Sequence, residues 1–168
     1  MAGPRRSREP KHPLDCHERS LRLLAVRQRS RRELQTRLLR AGFPADEVDG
    51  ELERLEAVGL IDDRRLAHEF AEHQLKVKLT GRRAVASALA AKGVDRRTIE
   101  ETLEEAAGDD EEAAAELARA RAPRLVSLPP EKAFTRLVSY LVRRGHAPDL
   151  SRRAAREALS IEAPNAEG

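Results

Sequence analysis

The side chains in this chain whose types and spacing invite a chemical reading are its arginines and lysines. Arg31, Arg32, Arg37 and Arg40 stand around Leu34 and Leu38. Arg82, Arg83 and Lys92 hold comparable places about fifty residues on, and Lys132, Arg136, Arg143 and Arg144 do so again further along. Guanidinium and ammonium groups collected in this way bind anions, either nucleic-acid phosphates or the carboxylates of a protein surface. Other reactive types point to less. His68 and His73 are five apart, which sets them roughly 140° from one another on a helix, a poor geometry for sharing a metal; they read as surface or rim histidines. His12 and His17 are expected in or near a frayed end. His146 takes the position that is Phe43 and Val94 in the neighbouring units, so it reads as a packing residue. Cys16 has only His17 beside it as a base, and adjacent residues leave a helix in different directions, so a reactive thiol is not expected. The acidic run 109–112 reads as a charged helix start. The chain holds no G-x-x-x-x-G-K-[ST] phosphate cradle, no H-E-x-x-H and no paired-cysteine spacing. No catalytic residue, metal or cofactor is expected.

The elements that must position these groups come as a tandem repeat. Leu34, Leu38 and Gly42 recur as Val85, Leu89 and Gly93 and as Leu137, Leu141 and Gly145, at intervals of 51 and 52 residues. A unit of that length accommodates three short helices. In the first unit Leu34, Leu38 and Ala41 share one face within about 60° at 100° per residue. Ser30 and Glu33 have capping-box spacing, so the helix starts at Ser30, with the carboxylate reaching back to the cap. Gly42 ends it in the left-handed conformation, and Pro44 opens the next helix, which carries Val48, Leu52 and Leu55 and stops at Gly59. The second unit repeats this with Ile99 and Leu103. In the third, Ser151 and Ala155 stand where larger apolar residues are due, so its last helix is expected to be the weakest element. First helices are expected over 16–27, 64–77 and 111–121. The predicted fold is all-α: an elongated, curved, solenoid-like array of three three-helix repeats at 15–61, 62–108 and 109–160, the third degenerate. A disordered basic arm over 1–14 and a disordered tail over 161–168 are expected to flank it.

Of 168 residues 40% are hydrophobic and only 2% aromatic, which suits a thin aliphatic core spread along a row of helices. One cysteine precludes an intramolecular disulfide and fits a reducing compartment. No apolar run approaches a membrane span or a signal peptide, so a soluble, cytoplasmic protein, expected to be monomeric, is the reading. The overall charge of +3 hides an alternation: residues 1–45 carry +8, 46–63 −7, 64–97 +6, 98–118 −9, 119–156 +8 and 157–168 −3. Stacked in register, the basic segments would draw a positive stripe. The alternative is a set of solvated faces paired with Glu51, Glu53, Glu100 and Glu104.

The string from Leu34 to Phe43, followed by Leu52, Leu55, Gly59, Leu60, Ile61, Asp62, Asp63, Leu66 and Ala67, resembles the signature of the RecX regulatory proteins. Gly81 and the Lys92, Gly93, Val94 end of the second unit, and the Arg144, Gly145 element of the third, fit the same pattern, with His146 replacing an aromatic residue. The resemblance spans roughly residues 18–160. It implies a modulator of the RecA recombinase, an all-helical protein lying in the groove of the RecA filament on single-stranded DNA and restraining its ATPase, strand-exchange and co-protease activities. Weak, nonspecific contact with single- and double-stranded DNA would accompany that role, the eleven basic residues being the candidate contacts, and no catalytic residue is carried over. Two alternatives stay open: a DNA-binding helical-repeat protein acting independently of RecA, and a helical scaffold for some other protein.

Overall fold

The computed structural model describes residues 14–106 and 109–160. Among them are nine α-helices and no strand: α1 (Cys16–Val26), α2 (Arg31–Ala41), α3 (Ala45–Ala57), α4 (Asp63–Glu72), α5 (Arg82–Ala91), α6 (Arg96–Glu105), α7 (Asp110–Arg121), α8 (Pro130–Arg143) and α9 (Pro148–Ala158). A π-helical turn over His73–Val77 prolongs α4, and a 3-10 turn over Ala122–Leu125 follows α7. The expected basic arm, apart from Leu14, and the expected tail lie outside the described residues, as does His12.

Helix boundaries follow local chemistry. The Ser30 hydroxyl accepts from the Glu33 amide at 3.1 Å, and Gly42, Gly59, Gly93 and Gly145 all take positive φ, from 71° to 94°, where a Cβ would strain the chain. Only half of the capping box forms. The Glu33 carboxylate turns to guanidiniums instead, meeting Arg27 at 2.6 Å, Arg37 at 3.1 Å and the buried Arg29. A cation stripped of water exerts a stronger pull on that carboxylate than one more amide does.

The chain divides into two compact units: one holds the described residues up to Leu66 with Lys92–Val94, the other Ala67–Ala91 with the described residues from Asp95 onward. In the first unit α1, α2 and α3 enclose Cys16, Leu34, Leu38, Phe43, Val48, Leu52, Leu55 and Ile61. Lys92 closes onto the start of α2, its carbonyl accepting from the Ser30 hydroxyl, and Arg32's stem lies over Gly93.

In the second unit α7, α8 and α9 bury Ala114, Ala118, Leu125, Ala133, Leu137, Leu141, Ala154 and Ala155, with Leu150 and Leu159 packed at the edge. In the helix expected to be the weakest, α9, the residues buried against this core are small: Ser151, Ala154 and Ala155. Elsewhere in this unit the start of α5 meets the end of α8 backbone to backbone. The Gly81 amide donates to the Arg144 carbonyl at 2.8 Å and the Arg83 amide to the Gly145 carbonyl at 3.2 Å. The segment before Gly81 holds Leu79 at φ 49°; Arg144 donates to the Lys78 carbonyl and the His146 ring meets the Leu79 carbonyl at 3.2 Å.

Candidate anion-binding surfaces

The eleven cations singled out by sequence sort into two groups once their partners are known. Arg31 meets Glu56 at 3.1 Å and Arg37 meets Glu33, so both are largely neutralised. Arg82 is half-buried and donates to the Leu103 and Ala106 carbonyls at the end of α6, where a guanidinium satisfies orphan acceptors and complements the helix dipole. Arg144 is committed to the Lys78 carbonyl. Lys92 is half-buried, its carbonyl engaged by Ser30. Arg82 and Arg144 thus also act as internal tethers, to carbonyls that are far in sequence and invisible to periodicity.

Six side chains remain exposed with neither hydrogen bond nor ion pair to another described residue: Arg32 and Arg40 in the first unit, Arg83, Lys132, Arg136 and Arg143 in the second. The first unit sets Arg32 and Arg40 at opposite ends of α2, with Leu39 exposed between them. In the second, Arg83 leaves the first turn of α5, and the other three lie on α8, whose opposite side carries the buried Ala133, Leu137 and Leu141. Two of the four carboxylates weighed as partners for the basic faces do other work. Glu51 takes His17 at 2.7 Å and Arg54 at 2.8 Å, and Glu100 takes Arg96 at 2.7 Å; neither binds one of the eleven.

The remaining reactive types occupy structural places. His17 sits in the first turn of α1 rather than at a frayed end, fixed by Glu51. His146 is 1% exposed and packs as expected, but it also bonds Asp110 at 2.9 Å, a long-range polar link the sequence did not signal. Asp109 caps α7 through the Glu111 amide at 2.8 Å, in keeping with a charged helix start. Cys16 is buried; desolvation, together with Glu47 and Glu51, pushes its thiol up to about 11. His68 and His73 are exposed, and no group of three or more His, Cys, Asp or Glu able to hold a metal occurs among the described residues. Sequence reasoning missed Arg29, which is 6% exposed and donates to the Leu23 carbonyl at 3.0 Å as well as to Glu33; the i, i+4 spacing to Glu33 was its signal. It also missed Arg121 and Arg156, which lie over the Tyr140 and Phe134 rings at 5.4 and 5.5 Å.

Comparison with known proteins agrees with this architecture. Residues 16–55 match the first three-helix domain of RecX and residues 62–103 the second. A "Regulatory protein RecX" of Mycobacterium avium is 35% identical over 150 residues, covering 88% of this chain and 87% of its own. The chain belongs to the RecX family of regulatory proteins. A RecX protein of Mycolicibacterium smegmatis is 37% identical over 155 residues, 86% of this chain and 78% of that one. The crystal structure of RecX from Lactobacillus salivarius superposes with a TM-score of 0.76 at 19% identity, covering 85% of this chain and 94% of that one, which establishes the shared fold. Among the described residues no helix is long and apolar enough to cross a membrane.

Proposed function

We propose that this RecX-family protein binds the RecA filament assembled on single-stranded DNA and restrains its ATP hydrolysis, strand exchange and co-protease activity. Family membership, carried by the 35% identity over 88% of the chain, is the observation on which the reading rests. The exposed, unpaired cations support it. Arg32 and Arg83 are 51 residues apart, the repeat interval, and each leaves the first turn of its helix unpaired with any carboxylate among the described residues. A filament offers the same acidic or phosphate-bearing surface at every protomer, so several weak contacts made by one chain combine by avidity and favour the polymer over free subunits.

The test is DNA-dependent ATP hydrolysis by RecA with the purified protein titrated in, read beside filament length. Inhibition is the expected outcome; an unchanged rate at stoichiometric protein would remove the reading. Charge reversal at Arg32, Arg40 and Arg83 should weaken inhibition, with a larger loss as salt is lowered, where the parent's electrostatic contribution is greatest. Filament-dependent binding separates this function from the alternative of a DNA-binding protein acting without RecA, for which bare DNA of the same length would serve equally well.

A further inference from the structure

In the first unit a groove of about 460 Å³ runs between α1 and α3, with Asp15 and Cys16 on one wall and Glu47, Gly50 and Glu51 on the other. Its two basic side chains are already committed, since His17 and Arg54 both meet Glu51. Gly50 is the unexpected member. A glycine inside a helix weakens it relative to alanine, and the fold does not call for one here, because a Cβ at Gly50 would meet nothing within 4 Å. What the missing side chain leaves is a notch in the exposed face of α3.

Carboxylates surround that notch. The residues three and four positions to either side of Gly50, its neighbours on the helix surface, are Asp46, Glu47, Glu53 and Arg54, all exposed. The carboxylates of Asp46, Glu47 and Glu53 have neither hydrogen bond nor ion pair to another described residue. Their field extends to the opposite wall: burial, then Glu47, Glu51 and Asp15, push the Cys16 thiol up to about 11.

We propose that this acidic groove seats the chain's own basic segment, residues 1–13, through Arg5, Arg6, Arg8 and Lys11. That segment carries those four cations against one carboxylate, Glu9, and the described chain begins at Leu14, next to the groove wall at Asp15. At up to about 3.5 Å per residue it is long enough to run past both Asp46 and Glu53, which stand about 10 Å apart along the α3 axis. A short tether gives a local concentration in the millimolar range, so contacts too weak to hold a separate molecule keep the segment in place. A separate protein is the poorer occupant. Binding of that kind loses translational freedom and is anchored by aromatic and apolar side chains, whereas the one apolar side chain among the described residues lining the groove is the buried Cys16. The seat would hold the arm at low ionic strength and release it as salt screens the attraction. Seated, the arm's cations are withheld from other anions, and the acidic face of α3 from other cations. The inference does not rest on the filament reading.

The experiment places a nitroxide on full-length protein carrying Ser7→Cys, Cys16 being buried and left unreacted, and reads broadening of backbone amides by heteronuclear NMR at low salt. Most of the Gly50 and Glu53 signal should be lost, and should return when the nitroxide is reduced. Raising the salt, or adding Asp46→Asn/Glu47→Gln/Glu53→Gln, should also restore both amides; the three positions are exposed, and circular dichroism checks that helicity is kept. A Gly50 amide at full intensity in the labelled protein overturns the seat, as does equal broadening with and without the three substitutions. A spin-labelled copy that broadens Gly50 of a separate, isotope-labelled molecule as strongly as within one molecule puts the arm on a neighbour and overturns the intramolecular seat. Neither RecA nor DNA enters these readouts, so a failed filament test leaves the seat standing and a failed seat leaves the filament reading untouched.

Discussion

The starts of α2 and α5 occupy the same place in successive repeats, Ser30 and Gly81 being 51 residues apart, yet they are closed by different means. At α2 a side chain mediates: the Ser30 hydroxyl caps the Glu33 amide and reaches the Lys92 carbonyl, while Arg32's stem covers Gly93. At α5 main chain meets main chain directly. Gly81 and Arg83 donate amides directly to the carbonyls of Arg144 and Gly145, and a Cβ on Gly81 would run into the Gly145 carbonyl group. A hydroxyl spacer tolerates adjustment, because a rotamer can shift; two backbones in contact have no such freedom. One repeat position is therefore replaceable in one unit and fixed in the other.

This contrast can be broken most severely at Gly81. Gly81→Ala should destabilise the protein by about 3 kcal/mol or more, since the obstacle is main chain and cannot yield; urea unfolding measures it, and a loss under about 1 kcal/mol would mean that the two backbones have room to part. Glu33→Gln comes next. Partial burial alone would raise this carboxyl, but hydrogen bonds from Arg37, Arg29 and Arg27 outweigh it and hold the group below the usual range. The amide leaves buried Arg29 without its anion, at a cost of about 2 kcal/mol near neutral pH. Because the folded state depresses this ionisation, the parent's advantage is present above the ordinary carboxylate range and disappears as pH falls through the native value. Stability curves for parent and variant should therefore converge in acid; a constant gap down to low pH would assign the effect to packing.

A smaller effect is expected at the equivalent hydroxyl. Ser30→Ala should cost about 1 kcal/mol, the ordinary loss of an N-cap, and a loss matching that of Gly81→Ala would erase the distinction between the two helix starts. Smallest is Ser151→Ala in α9. Its hydroxyl is buried and makes no hydrogen bond, so removing it should change stability by about 0.5 kcal/mol or less, or stabilise slightly. A clear loss in thermal unfolding would show that the hydroxyl has a partner after all.

What could be read from sequence was what is local. Ser30, Gly42, Gly93 and Gly145 announce helix ends because capping involves residues three or four apart, and the apolar spacing around Leu34, Leu38, Leu137 and Leu141 identifies the faces that are buried. The destinations of long side chains were not legible. Arg82 reaches carbonyls 21 and 24 residues away and Arg144 one 66 residues away, so a count of charges along the chain overstated the exposed basic surface. Burial in α9 was hidden for a related reason: Ala154 and Ala155 look like a weak apolar face in sequence, and the helices they pack against are distant along the chain. Of the candidate surface, the α8 cations follow from helical spacing once the helix is known, whereas their lack of partners emerges only in three dimensions.

The chain's lone cysteine is the first residue of α1 and faces the core of the first unit, 3% exposed and with its thiol pushed up to about 11. Maleimides and other alkylating reagents need a thiolate they can reach, so they will modify Cys16 only in molecules whose first unit has opened. The labelling rate of the unaltered protein is thus an intrinsic gauge of that unit's opening, usable in mixtures with DNA or recombinase where circular dichroism would be swamped.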